Sequence, residues 1–328
     1  MCPETSSPSP QPEQAPRSAS RGAWSSLAWR TGSLELHGDE LYEAGRVAFE
    51  GPEAGAIKGS WALVSVRGCV RDNNEDHAGC WTEGGEAPLF AVADGLGGHA
   101  AGEVASMTAV GEAIKTWSEG SREKPRQLLR QAARAANAQV YGASLTQGCF
   151  GMATTFTAAS FEQSEVVVAH VGDSRAYLIH QGVPEQLTVD HTQVGEMMRI
   201  GLLTPEQAAN HPARSVLTKC MGNAPGITVE LSRRRVFSGD ILVLCSDGLW
   251  SLVSKDEMAK RLVPLGLRGE VDPAEVSDAS WELVERAVAR GAPDNVTLIV
   301  VAIESLEAEA GGLGDKKKRR FFPFSRSG

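Results

Sequence analysis

The chain has 328 residues, 42% of them hydrophobic and 22% charged, with a formal charge of −9. That is ordinary globular usage and enough apolar surface for a sizeable core, so disorder of the whole chain is excluded. No run approaches the roughly 20 apolar residues of a membrane-spanning helix, and the acidic balance argues against a nucleic-acid-binding face.

Residues 1–23 hold five prolines and five serines and almost no large apolar residue, so they read as a disordered N-terminus. Nothing there has the basic-then-apolar pattern of a secretory signal. Residues 24–59 carry scattered apolar residues broken by glycines and read as a partly ordered extension. From Trp61 the texture changes. Short β-like runs appear at Trp61–Val66, Leu89–Val92, Thr154–Ala159, Val166–Val171, Ala176–Ile179, Ile241–Cys245 and Val296–Ile303. Helical patterns fall at Ala101–Trp117, Arg126–Leu145, Gln193–Ile200, Lys255–Val263 and Ala274–Arg290. Thr204-Pro-Glu-Gln207 and Ser254-Lys-Asp-Glu257 fit capping boxes. Strands in neighbouring groups and helices in pairs predict an α+β domain of antiparallel sheets over about residues 60–304. Residues 305–328 read as a flexible, solvated tail. Its end, Lys316-Lys-Lys-Arg-Arg-Phe-Phe-Pro-Phe324, could alternatively make weak contact with an anionic membrane surface. The six cysteines are scattered without a CxxC pair, which fits reduced thiols in a cytoplasmic protein.

Aspartates punctuate the apolar runs. Asp94 ends Leu89-Phe-Ala-Val-Ala93, Asp173 follows Val166–Gly172, Asp247 follows Ile241–Ser246, and Asp294 precedes Asn295–Ile303. The pair Glu75-Asp76 follows the first run after a short loop. One such aspartate is a turn residue. If several strand ends meet at one rim, however, the carboxylates repel and their burial is costly unless a cation offsets it. All-oxygen ligands without a His or Cys cluster select a hard ion, Mg²⁺ or Mn²⁺, suited to phosphoryl chemistry. Asp94-Gly-Leu-Gly-Gly98 lets the backbone approach closely, so the Gly95 carbonyl is itself a candidate ligand. A rival calcium loop on Asp72, Asn74, Asp76 and Glu83 lacks the required glycine, since His77 stands at that position.

With these stations in place the sequence resembles the metal-dependent protein serine/threonine phosphatases of the 2C type, particularly the bacterial members. The matching pieces occur in family order: Arg71-Asp-Asn-Asn-Glu-Asp76, Val92-Ala-Asp-Gly-Leu-Gly-Gly-His99, Gly151-Met-Ala-Thr-Thr155, Val171-Gly-Asp-Ser-Arg175, Leu187-Thr-Val-Asp-His191, Asn210-His-Pro212, Cys245-Ser-Asp-Gly248 and Asp294-Asn-Val-Thr297. The resemblance implies two stacked antiparallel sheets with helices on both outer faces. It implies that Asp94 bridges two Mn²⁺ or Mg²⁺ ions with the Gly95 carbonyl beside it, and that Asp247 and Asp294 complete the first ion's shell. Glu75 and Asp76 hold water on the second ion, Asp173 takes part in a possible third site, and Asn295 is a supporting residue. Arg71 is expected to grip the phosphate, and residues from about 192 to 214 to form a flap. Ala153 replaces the family's usual glycine before the two threonines. Leu96 stands where eukaryotic members carry a histidine proposed as general acid.

The implied activity is hydrolysis of phosphoserine and phosphothreonine in proteins by in-line attack of a metal-activated water, reversing the work of a serine/threonine kinase. A non-catalytic regulator on the same fold is the first rival, but such proteins typically lose ligands, and Asp94, Asp247 and Asp294 are all present. A phosphatase dedicated to one regulatory protein is the second, and the Arg71 motif argues against it.

Overall fold

The computed structural model describes residues 40–50, 56–83, 87–97 and 100–306. The expected disordered N-terminus, the basic-aromatic tail and His99 lie outside these described residues. In chain order the strands are β1 Glu40–Glu50, β2 Ala56–Val66, β3 Asp76–Trp81, β4 Leu89–Leu96, β5 Ala153–Thr154, β6 Phe156–Glu162, β7 Glu165–Val171, β8 Arg175–His180, β9 Val183–Gln186, β10 Glu230–Arg235, β11 Ile241–Cys245 and β12 Val296–Leu306. The helices are α1 Ala100–Glu119, α2 Pro125–Ser144, α3 Gln193–Arg199, α4 Pro205–Ala209, α5 Asp247–Trp250, α6 Lys255–Gly266 and α7 Pro273–Ala289.

Two antiparallel sheets result. The first runs β1-β2-β12-β11-β8-β9, and the second β10-β7-β6-β4-β3, with β5 paired to the end of β4. Period-two alternation assigns each central strand to two layers. In β2, Ile57, Trp61 and Leu63 face the second sheet's core, which includes Phe90, Phe156 and Phe161. Ala62, Val64 and Val66 instead join Leu262, Leu283 and Val284 of α6 and α7. β12 divides the same way, with Ile299, Val301 and Ile303 on one side and Leu298, Val300 and Ala302 on the other. Both faces are buried, which is why these strands read as unbroken apolar runs. Helices α1 and α2 cover the outer face of the second sheet through Ala105, Val110, Trp117, Leu129 and Ala136. The expected α-β-β-α layering is present.

Some boundaries differ from the sequence reading. The first sheet begins well upstream of residue 60, because β1 pairs with β2 along its whole length, from Glu40 opposite Val66 to Glu50 opposite Ala56. Part of the stretch read as an extension is therefore an edge strand. Three further strands were not foreseen, β3, β9 and β10: β3 opens on an aspartate and contains a glycine, while β9 is short and half-exposed and β10 ends on three exposed arginines. Because Asp76 starts a strand, the calcium-loop reading of residues 72–83 fails. Both capping boxes form, at Thr204 and Ser254.

Candidate active site

The acidic residues meet at one end of the two sheets. Asp76 lies directly opposite Asp94 in the β3–β4 ladder. The Asp94 backbone is pinned on both sides. Its N–H donates to Thr155 Oγ1 at 2.9 Å, and its carbonyl accepts from Thr155 N–H at 2.9 Å and Thr154 Oγ1 at 2.8 Å. The paired threonines of the Gly151–Thr155 motif thus fix where Asp94 sits. Ala153, the departure from the usual glycine, pairs with Leu96 in β5 without disturbing this contact.

Gly95 is a close-approach glycine. Its N–H donates to the Glu75 carbonyl at 3.1 Å, and a Cβ there would lie 2.1 Å from the Gly102 carbonyl oxygen and 2.6 Å from that of Glu75. A side chain has no room between β4 and the first turns of α1. Asn295 staples the Arg71–Asp76 loop to the start of β12: its Oδ1 accepts from Glu75 N–H at 2.8 Å, and its Nδ2 donates to the carbonyls of Arg67 and Asn73. Arg71 donates to Asp294 Oδ2 at 2.7 Å and comes within 3.9 Å of Glu75. Asp247 opens the short helix α5 immediately after β11, so strand end and helix start together aim it at the cleft.

Two residues the sequence reading passed over support the cluster. Ser246 donates to Asp76 Oδ2 at 2.7 Å and accepts from Thr297 N–H at 3.1 Å, tying the second sheet's β3 to the first sheet's β11 and β12. Trp250 stacks on the Arg175 guanidinium, 3.5 Å from ring centroid to carbon, and donates its Nε1–H to the Asp173 carbonyl at 3.0 Å. Arg175 in turn makes a forked pair with Asp190. Ser246 and Arg175 stood in the Cys245-Ser-Asp-Gly248 and Val171-Gly-Asp-Ser-Arg175 motifs as neighbours of the residues singled out, whereas Trp250 lies beyond both and its contacts had no local signal.

Burial and then like charge raise the acids. Asp76 is pushed up to about 7, first by loss of water and then by Asp247 and Asp294, against the hydrogen bonds from Ser246 and Thr297. Asp94 rises well above the ordinary carboxylate value through burial and the charges of Asp76, Asp247, Asp173 and Asp294. Asp173 reaches about 7 and Asp247 about 6 for the same reasons. All nine residues expected at the site, Arg71, Glu75, Asp76, Asp94, Gly95, Asp173, Asp247, Asp294 and Asn295, are brought into this one network. Among the described residues, no three Asp, Glu, His or Cys side chains already surround a single point at ligating distance.

The histidines behave as core or loop residues. His170 stacks on His191 with ring centroids 4.9 Å apart, and burial lowers His77 and His170 to about 4. The five described cysteines are free thiols.

Residues 70–279 match the family model for protein phosphatase 2C. The chain belongs to the protein phosphatase 2C family. It is 36% identical over 240 residues to the serine/threonine phosphatase stp of Listeria monocytogenes, an alignment covering 72% of this chain and 92% of that protein. The crystal structure of the Mycobacterium tuberculosis serine/threonine phosphatase PstP/Ppp superposes with a TM-score of 0.65 at 35% identity, over 74% of this chain and 98% of that one. The catalytic domain of PstP solved in complex with two manganese ions gives a TM-score of 0.63 at 33% identity, over 74% and 97% of the two chains. Asp294 and Asn295 lie beyond the span matched by the phosphatase 2C model. Their hydrogen bonds to Arg71 and Glu75 tie them to it. In this phosphatase 2C chain, residues 193–216 form a small excursion closed at its root by the Thr192–Leu217 bridge and by Gln193 N–H donating to the Val216 carbonyl at 2.9 Å.

Proposed function

We infer that the acidic cleft is the catalytic centre of a metal-dependent protein serine/threonine phosphatase using Mn²⁺ or Mg²⁺. One observation carries the metal assignment: Asp247 Oδ1 is buried and has no hydrogen-bond partner among the described residues. An anionic oxygen left in that condition amid other carboxylates is costly. A hard divalent cation satisfies the oxygen and offsets the repulsion, and the all-oxygen donor set suits it. The manganese in the relative's catalytic domain supports the same reading.

Asp94, the Gly95 carbonyl, Asp247 and Asp294 are the residues that would hold the ions, with Asp173 available to a further one. When bound, a divalent pair supplies Lewis acidity to the phosphoryl oxygens and makes water a stronger nucleophile at neutral pH. The chain's own groups do the rest. Glu75 and Asp76 accept hydrogen bonds from water and orient it toward phosphorus. Arg71, half-exposed at the mouth, offers a planar fork to two phosphate oxygens and stabilises the charge that grows on them. Ser246, Thr154, Thr155 and Asn295 keep these groups from relaxing away from one another.

The proposed substrates are phosphoserine and phosphothreonine in proteins, with a serine/threonine kinase as the opposing activity and the cytoplasm as the place of action. Among the described residues no helix is long and apolar enough to cross a membrane. The test is hydrolysis of a phosphothreonine peptide with Mn²⁺ and with chelator. Activity that survives complete chelation refutes the assignment.

A further inference from the structure

Two features remain outside this chemistry, and the described chain ends close to the first of them. The first is a cavity of about 670 Å³ lined by Ile179, Phe237, Ile241, Val263 and Leu267, with His180 and Asp240 in its wall. It sits at the far end of the first sheet. His180 is the last residue of β8, five positions beyond Arg175, and at about 3.3 Å per residue that places it some 16 Å from the acidic cleft. Its volume falls within the range of small-ligand pockets, and its character is apolar and aromatic. His180 Nδ1–H donates to Asp240 Oδ1 at 2.7 Å while the ring leans on Phe237 at 4.9 Å, so the wall is already fixed. Leu267 is 81% exposed at the rim.

The second feature is Lys316-Lys-Lys-Arg-Arg-Phe-Phe-Pro-Phe324, which plays no part in the catalytic reading. The described chain ends beside the cavity. Gly239 N–H donates to the Ile303 carbonyl at 2.7 Å, and Ile303 N–H donates to the Asp240 carbonyl at 2.9 Å. β12 ends only three residues later at Leu306, about 10 Å away. A linker of about 15 residues, the separation of Leu306 from Phe321, reaches at most about 50 Å and as a coil averages about 20 Å. Such a tether gives an effective concentration in the millimolar range. Even a weak pocket is then filled from within the same chain.

We propose that this cavity is the docking site of the chain's own Phe321-Phe322-Pro-Phe324 segment, a peptide site remote from the catalytic cleft. The phenylalanines enter between Phe237, Val263 and Leu267. The basic run before them crosses the loop after α6, where Glu270 and Asp272 are exposed. It does not cross β10, since Arg235 already covers Phe237 on that flank. The proposal does not depend on the phosphatase reading and can fail or stand separately from it.

The test uses the full chain with the photo-cross-linking residue p-benzoyl-phenylalanine at position 322. Cross-links within one molecule to peptides containing 237–241 or 263–267 are expected. Hydrogen exchange of the amides at 237–241 should be several-fold slower in the unmodified chain than in the triple variant Phe321→Ser, Phe322→Ser, Phe324→Ser. Cross-links confined to other surfaces or to a second molecule, or exchange equal in the two chains, overturn the proposal. So does a segment that cross-links nowhere on the protein but carries it onto phosphatidylserine vesicles, which assigns the phenylalanines to a membrane instead.

Discussion

Asp76 and Asp94 face each other across the β3–β4 ladder, two carboxylates at directly opposed positions of a buried strand pair. Like charges so placed destabilise a sheet, and both residues are raised in pKa. The strain is built into the register and is not an accident of side-chain conformation. A one-residue slip would remove it, but it would also turn every core side chain of β3 and β4 to the wrong face. The fold therefore enforces an arrangement that a cation resolves. Asp94→Asn keeps the volume and removes the charge, so turnover on a phosphothreonine peptide should fall by several orders of magnitude while the circular dichroism spectrum stays native. Near-normal turnover from the folded variant would contradict the proposed role of Asp94.

The same repulsion has a pH signature. Asp76 and Asp173 sit at about 7 and Asp247 at about 6 in the folded chain, against 3.8 for an ordinary aspartate. A folded state that binds these protons more tightly than the unfolded chain loses stability as pH rises through roughly 4 to 7. In chelator, the melting temperature of the wild type relative to Asp247→Asn should therefore decline from pH 5 to pH 7.5. With Mn²⁺ the order should reverse, because bound metal requires deprotonated ligands. Parallel profiles for the two proteins in chelator would show that these acids are not under strain.

Much of this site was legible in the sequence because acids at strand ends are conspicuous against apolar runs. Asp94, Asp173 and Asp247 each close such a run, and Asp294 opens one. What positions them was harder to read. Ser246 and Trp250 act through contacts across sheets or between a helix and a strand end, separated by up to 170 positions in the chain, and no local pattern announces such a pair. β3 escaped for a related reason. Its opening residue belongs to the site, and Asp76-His-Ala-Gly-Cys-Trp81 lacks the unbroken apolar run that marks β12.

Glycine substitutions separate packing from conformational preference. Gly95→Ala would push a methyl into the Gly102 and Glu75 carbonyls, and overpacking of this kind costs about 1–3 kcal/mol or more. Gly111 lies exposed within α1 with nothing within 4 Å of an added Cβ. Gly111→Ala should stabilise the fold by about 0.4–1 kcal/mol. Denaturant unfolding should shift the two midpoints in opposite directions, and a neutral Gly95→Ala would mean that β4 and α1 can separate at little cost.

The last prediction concerns Ser246, which is fully buried and reaches the site through its hydrogen bond to Asp76. Removing its hydroxyl takes away the 2.7 Å donor to Asp76 Oδ2 and the acceptor for Thr297 N–H. A structural hydrogen bond alone is worth about 1 kcal/mol of stability. A residue that orients a group serving the metal should do more, since losing such a partner typically weakens metal affinity about 10- to 100-fold. Ser246→Ala should therefore raise the Mn²⁺ dissociation constant measured by titration calorimetry by that factor, and Ser246→Thr, which keeps the hydroxyl, should recover most of it. At saturating Mn²⁺ the turnover of Ser246→Ala should return close to wild type. If instead both variants lose stability equally and bind Mn²⁺ as tightly as wild type, Ser246 serves the packing of β11 against β12 and not the orientation of Asp76.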